Sequence, residues 1–311
     1  MKKIILTLIA VVLSAGIMSA QDMAQATETY NSGATALSDG NKAAALEHFM
    51  NALKQAAACG EEGEEIVANC KGIIPTIQLS LAKDLIKDAN YDAAIAKLAE
   101  ATGVATEYGA DDVIAEAAEL LPQVKMQKAN TLYNAKDFAA AAEAYKEVLA
   151  GDAENGNAAL RLAMALNGAG DTDAAIAAFE KAATLGQEAN ANKQLANIFL
   201  KDAAAQLKAK NYTAALEAAV KVNEYSENAQ AYLVAGQASQ QLKKNNDAIE
   251  YFEKYLELSP SAKNANAITF TVAALYQGLG NKAKALENYN KVASDAQYGA
   301  SAKQQIEALN K

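Results

Sequence analysis

The chain has 311 residues, of which 51% are hydrophobic and 21% charged, a balance that excludes a disordered chain and leaves room for two domains or one extended array. Alanine supplies about a quarter of the residues, against three prolines, no tryptophan and 6% aromatics, which favours helices over sheets. A formal charge of -9 disfavours nucleic acid and anionic membrane surfaces, while a lone histidine, His48, and a lone arginine, Arg161, cannot build a multi-histidine metal site.

Residues 1–20 read as a secretory signal peptide: Lys2 and Lys3, an apolar stretch from Ile4 to Leu13 broken by Thr7, then small residues to Ala20. Cleavage after Ala20 starts the mature chain at Gln21 and takes its formal charge to -11. The first cysteine, Cys59, lies too far downstream to carry a lipid at the cut. No later segment approaches 18 uninterrupted apolar residues, so membrane insertion of the mature chain is not expected. Export to a bacterial periplasm is the first reading; secretion or outer-membrane association is the second.

Downstream, an alanine followed four residues later by a large apolar residue recurs as Ala45/Phe49, Ala94/Leu98, Ala141/Tyr145, Ala175/Phe179, Ala248/Phe252 and Ala285/Tyr289, with a degenerate Ala215/Ala219. Spacings of 49, 47, 34, 40, 33 and 37 residues separate the seven alanines. Four positions before the alanines stand Asn41, Asn90, Asp137, Asp171, Asn211, Lys244 and Asn281, and Asn or Asp there predicts a capped helix start after a tight turn. Twelve positions before them stand Gly33, Ala82, Ala129, Ala163, Ala203, Gly236 and Ala273, whose small size lets two helices approach closely. Each unit is therefore a helix, a polar turn and a second helix.

Two connections are longer. From Cys59 the sequence predicts an acidic loop through Glu61, Glu62, Glu64 and Glu65, then one long helix kinked at Pro75. A second stretch, 103–121, ends at Pro122 and either lengthens a helix or adds one. Residues 298–311 predict a helix with one wet face that caps the array. Cys59 and Cys70 form an even pair in an oxidising compartment, which fits a disulfide and fits two buried thiols equally. No residue pattern calls for a cofactor, and the glutamates at 61–65 lack the frame of a calcium site.

These helix-turn-helix units resemble the tetratricopeptide repeat (TPR) family, whose units run to about 34 residues. Tyr232, Gly236, Ala248, Phe252 and Pro260 match the family pattern best, and the resemblance spans 27–292. No unit has the consensus tryptophan, and Ala219 replaces an aromatic. The resemblance implies an all-α right-handed solenoid with no catalytic role, whose first helices line a concave peptide-binding face. Carrying the family's groove positions over gives Tyr30, Leu37, Met126, Asn130, Tyr133, Leu160, Met164, Asn167, Leu200, Gln237, Gln240, Phe270 and Gln277. Met126, Asn130 and Tyr133 are expected beside Leu160, Met164 and Asn167. The family's carboxylate clamp is not supported, because Met126 and Leu160 stand where its lysine is needed. The partner is an unidentified protein or peptide, with a second copy of the chain left open. The competing reading is an enzyme or metal-dependent protein with its site in residues 59–122.

Overall fold

The computed structural model describes residues 19–311, and among them every regular element is helical. The expected leader lies outside the described residues except for Ser19 and Ala20, which open the first helix. No described helix is long and apolar enough to cross a membrane. The helices divide into two compact units, one ending at Glu154 and one running Asn155–Lys311.

The first unit holds three antiparallel pairs: α1 (Ser19–Ser38) with α2 (Lys42–Ala58), α3 (Glu64–Lys87) with α4 (Tyr91–Tyr108), and α5 (Asp111–Asn134) with α6 (Phe138–Gly151). The second holds α7 (Gly156–Ala169) with α8 (Thr172–Ala182), α9 (Glu188–Lys208) with α10 (Tyr212–Tyr225), α11 (Ala229–Gln241) with α12 (Asn245–Leu258), and α13 (Ala265–Gly278) with α14 (Lys282–Val292). The closing helix α15 (Gly299–Leu309) packs Ala302, Ile306 and Leu309 on the last pair. The fold is an all-α array of stacked tetratricopeptide-like helix pairs.

The turn inside each pair follows one rule. The residue before the second helix's N-cap takes a left-handed conformation: Gly40, Gly170 and Gly280, but also Ala89, Lys136, Lys210 and Lys243, the four non-glycine residues with positive φ among those described. Two backbone bonds close each turn, as Asn90 N–H to Leu85 O (2.9 Å) and Ala89 N–H to Ile86 O (3.0 Å) do, which together satisfy carbonyls that the helix end would orphan. Asn41, Asp137, Asp171 and Asn281 then accept a backbone N–H with the side chain, whereas Asn90 and Asn211 do not.

All seven marker alanines are fully buried, as are Phe49, Phe179 and Tyr145. Where the small residue of the first helix is glycine, it receives the aromatic ring directly. A Cβ on Gly236 would stand 2.6 Å from two ring carbons of Phe252, and one on Gly33 would stand 3.2 Å from the Phe49 ring. The glycine is thus a socket, and the aromatic fills it.

The expected acidic loop is a short 3-10 turn, with Glu64 and Glu65 already in the long helix that follows it. After a 3-10 turn at Gly60–Gly63, α3 runs unbroken through Pro75. The stretch 103–121 is shared out: its first part carries α4 to Tyr108, and from Asp111 it begins α5, so Pro122 sits inside a helix rather than ending one. Each proline removes one N–H and crowds the carbonyl four residues before it, a cost that tertiary packing of the surrounding turns offsets. In the fifth pair, a π-turn at Ala183–Gln187, with Gly186 left-handed, lets α9 start early and accounts for the spacing of 40.

Candidate functional site

The residues expected to line a groove are used in two different ways. Several are turned inward. In the first unit, Tyr30 meets Phe49 edge-on with ring centroids 5.2 Å apart, Leu37 packs into the same cluster, and Tyr133 meets Phe138 at 5.3 Å. The Tyr145 hydroxyl donates to Asn130 Oδ1 at 2.7 Å, so that amide holds α6 to α5. In the second unit, Gln277 accepts from the Tyr289 hydroxyl at 2.7 Å and donates to Gln305 at 3.0 Å. Phe270 lies against Tyr289 and Tyr298, and Leu200 packs with Val222 and Ala231. The others stay available. Met126 is half-buried on α5; Leu160 and Met164 are half-buried and Asn167 exposed on α7; Gln237 and Gln240 are half-buried on α11. The trio on α5 belongs to the first unit and the trio on α7 to the second.

Within the second unit, α7, α8 and α9 enclose a groove of about 640 Å³. Its walls include Asn167 from α7, Asp173 and Ile176 from α8, and Gln194, Asn197, Ile198, Lys201, Asp202 and Ala205 from α9. Gln194, Asn197, Lys201 and Ala205 are spaced by three or four residues, so they form one stripe of the helix. Sequence reasoning named only Asn167 of this set. It took Leu200 from α9, which is packed inward, and missed the amides three and six residues before it. The signal was present as repeated Asn and Gln at helical spacing, but the early start of α9 hid how far the stripe reaches.

The groove mixes polar groups with apolar wall from Ile176, Ile198 and Phe199, and sets Lys201 against Asp173 and Asp202. Asp202 accepts from Gln206 Nε2 at 3.1 Å, and Lys201 has no ion-pair partner among the described residues. Beside it, Phe199 stacks on Tyr225 at 5.8 Å, Lys221 lies 5.0 Å from the Phe199 ring centre, and the Tyr225 hydroxyl donates to Glu180 at 3.0 Å. Burial first, and the Glu180 contact second, raise the Tyr225 phenol above its ordinary range, so it stays a donor. This aromatic stack stiffens the wall that carries Lys201.

A larger hollow of about 770 Å³ runs along α1 past Thr27, Asn31, Ser32, Thr35 and Asp39. Its hydroxyls are already spent on their own helix: Thr27 donates to Met23 O at 2.8 Å, Ser32 to Glu28 O at 2.9 Å and Thr35 to Asn31 O at 3.0 Å. It therefore presents fewer free polar groups than the α7–α9 groove. Cys59 and Cys70 are separate thiols in the structure, with Cys59 Sγ 3.4 Å from Gln55 O and Cys70 fully buried. Among the described residues no group of three or more His, Cys, Asp or Glu is placed to hold a metal ion.

Two tetratricopeptide-repeat family models match the chain, one over residues 126–191 and one over 229–261. No curated protein matches it in sequence. Among solved structures, a crystal structure of MamA is similar at 22% identity and a TM-score of 0.32, covering 56% of this chain and 96% of that one. YrrB, described as a TPR protein with an unusual peptide-binding site, aligns at 20% identity and 0.32, covering 58% and 91%. The TPR2AB domain of yeast Sti1, solved in a complex with pHSP90, aligns at 18% identity and 0.33, covering 92% and 97%. The fold assignment rests on the paired helices, the shared turn and the ring-in-socket packing found in this chain. Repeat models of the tetratricopeptide family thus match two stretches of the chain, and the paired helices give it the fold of a tetratricopeptide-like array.

Proposed function

We propose that this protein is a non-catalytic binding scaffold that holds an extended peptide or protein segment in the groove between α7, α8 and α9. The observation that carries this reading is the stripe Gln194, Asn197 and Lys201, whose side chains face the groove without protein hydrogen-bond or ion-pair partners among the described residues, opposite Asn167 and Ile176. Side-chain amides both donate and accept, so they can pair with a peptide backbone run in either direction. Leu160 and Met164 on α7 extend the contact with apolar, adaptable surface. On α5 of the first unit, the half-buried Met126 offers a contact of its own. Residues 59–122 fold as packed helices, which supports binding over chemistry in that region.

The layout of residues 1–20 supports export, with the bacterial envelope as the place of work. Intact mass from the envelope fraction is expected to start at Gln21; a mass retaining 1–20 would sink the export reading.

Partner capture from envelope extract tests the groove. Asn197→Ala with Lys201→Ala is expected to weaken capture by about 1–3 kcal/mol while far-UV circular dichroism stays unchanged. Tyr133→Ala with Met164→Ala is expected to have a smaller effect, because Tyr133 already packs on Phe138. Undiminished capture by the folded Asn197/Lys201 variant would move the binding site elsewhere.

A further inference from the structure

The helix pairs of the second unit divide their charge unevenly between two edges. Each helix here runs back along the one before it, so the turns within pairs project from one edge and the connections between pairs from the other. With four residues of helix on either side, the turns α9–α10, α11–α12 and α13–α14 span 205–215, 238–248 and 275–285. They hold Lys208, Lys210, Lys243, Lys244, Lys282 and Lys284 against one acid, Asp247. The connections that follow each pair, bounded in the same way at 222–232, 255–268 and 289–302, hold two lysines against four acids. The turn α7–α8, with Asp171 and Asp173, stands outside the basic row.

Local structure does not account for these lysines. All six are exposed, and among the described residues only Lys284 reaches an acid, Glu287 at 3.2 Å. Lys244 is the N-cap of α12, and Lys282 and Lys284 lie in the first turn of α14, at the positive end of the helix dipole, which disfavours cations. Lys210 and Lys243 hold left-handed backbone, at φ 63° and 60°, a conformation that Gly170 and Gly280 take without strain. Beside the third turn, Leu279 is the C-cap of α13 and is 44% exposed. A large apolar side chain is thus left in water next to the basic row.

We propose that this turn edge docks on an anionic lipid surface, with the lysines on the headgroups and Leu279 at the interface. Successive pairs stand about 20 Å apart, two interaxial distances, so the row spans roughly 40 Å. A sheet of lipid phosphates meets all three turns at once, whereas a free anion meets one. Basic and apolar groups together are what a peripheral contact needs, since each signal alone holds weakly. The formal charge of the whole chain opposes such a surface, but it comes from the first unit: Asn155–Lys311 holds 16 basic and 15 acidic residues. Repulsion by those exposed acids fades beyond the screening length, about 8 Å at physiological salt. Neither the six lysines nor Leu279 line the α7–α9 groove, so docking and peptide capture separate by experiment.

Flotation of the purified full-length protein with vesicles tests this. Vesicles of phosphatidylglycerol and phosphatidylcholine are expected to carry it upward, and those of phosphatidylcholine alone much less. Raising salt from roughly 50 to 500 mM is expected to lower the partition coefficient about tenfold. Lys243→Gln with Lys244→Gln is expected to lower it about twentyfold, and Lys243→Arg with Lys244→Arg to leave it near the parent value. Leu279→Ser is expected to lower it about threefold, and Lys263→Gln, on the other edge, to change it less than about twofold; circular dichroism checks that each variant is folded. Equal binding to both kinds of vesicle, or binding that ignores the turn variants, would overturn the proposal. Displacement by inorganic phosphate beyond that by chloride at matched ionic strength would overturn it too, by marking a site for one phosphate. So would salt-sensitive self-association without vesicles that Lys243→Gln with Lys244→Gln abolishes, which would give the edge to the acidic first unit of a second copy. Partner capture through the groove is expected to survive these lysine changes, so failure of docking leaves the binding reading standing.

Discussion

The two compact units obey the same turn rule and the same ring-in-socket packing, yet they differ in almost everything a partner would meet. Between Gln21 and Glu154 the chain has 22 acidic residues and 10 lysines; from Asn155 to Lys311 it has 15 acidic and 16 basic residues. The whole negative charge of the protein therefore belongs to the first unit. Its helices are also longer: α3 and α5 have 24 residues each, against 11 to 14 for every helix of the second unit except α9. Ion pairs tie helices together in the first unit, Lys42 with Asp84, Lys83 with Glu116 and Lys128 with Asp92, whereas the second unit's pairs stay within single helices. Lys42, the leading cause, holds the Asp84 carboxyl below its ordinary range. The lesson is that backbone grammar and surface chemistry vary independently in such arrays. Alanines, sockets and turns specify how pairs stack, and everything outward is free to diverge.

The largest effect that should separate the units comes from two glycines at close backbone contacts. A Cβ on Gly63 would fall 1.9 Å from the Ala56 carbonyl oxygen, and one on Gly156 would fall 2.2 Å from the Leu185 carbonyl oxygen. Each Gly→Ala change should cost about 3 kcal/mol, since backbone cannot step aside as a side chain can. Hydrogen exchange should place the loss of protection in the first unit for Gly63→Ala and in the second for Gly156→Ala. Loss spread evenly over both units by either variant would show that they do not act as separate bodies.

Alkaline pH should come next; its thiol part acts on the first unit, while the raised phenols of Tyr225, Tyr251, Tyr276 and Tyr289 act on the second. Burial pushes the Cys70 thiol up to about 12, so the folded chain keeps a proton that the unfolded chain releases above roughly pH 8.5. Stability from this group is complete below that pH and is lost as pH rises toward the folded value. Denaturation midpoints at about pH 8 and about pH 10.5 should therefore converge more in Cys70→Ala than in the parent. Native alkylation should label Cys59 before Cys70, because Cys59 is half exposed although its thiol is also raised, by burial first. Equal and slow labelling of both until reductant is added would instead reveal a disulfide.

A smaller pair of changes compares like with like across the units. Tyr145→Phe and Tyr289→Phe each remove a hydroxyl bonded to an amide of the preceding helix, Asn130 and Gln277 respectively. Each should cost about 1 kcal/mol by chemical denaturation. Gln277 keeps Gln305 as a partner, so Tyr289→Phe should be the milder of the two; the reverse order would argue that the closing helix adds no support.

The smallest effect should be a gain. Ala89 holds φ at 55° in the turn between α3 and α4, where glycine carries no Cβ penalty. Ala89→Gly should raise stability by about 0.5 kcal/mol, the relief of strain outweighing the added freedom of the unfolded chain. A drop in thermal midpoint would mean that the turn is less strained than its dihedral implies.

Much of this was open to reading in one dimension. Ala45, Ala94 and their counterparts, the Asn or Asp four residues earlier and the Phe or Tyr four residues later all lie within one helix turn or one short loop of each other, so local spacing carries them. The turn residues Ala89, Lys136, Lys210 and Lys243 left no such trace, because nothing in alanine or lysine announces a left-handed backbone. The long helix through Pro75 was legible, but Pro122 hid that α5 runs on past it, because a proline that ends a short helix can sit inside a long packed one.

What the sequence determined by itself is the helix-pair repeat and its sockets, since these depend on contacts between residues close in the chain. Only the tertiary structure decided which polar side chains remain free. Asn130 and Asn197 are the same residue on comparable helices, but one is claimed by a tyrosine fifteen residues away across a helix crossing and the other faces an open groove. That difference is set by the rotation of each helix on its neighbour, a quantity that burial of the whole apolar face fixes and that no local spacing encodes.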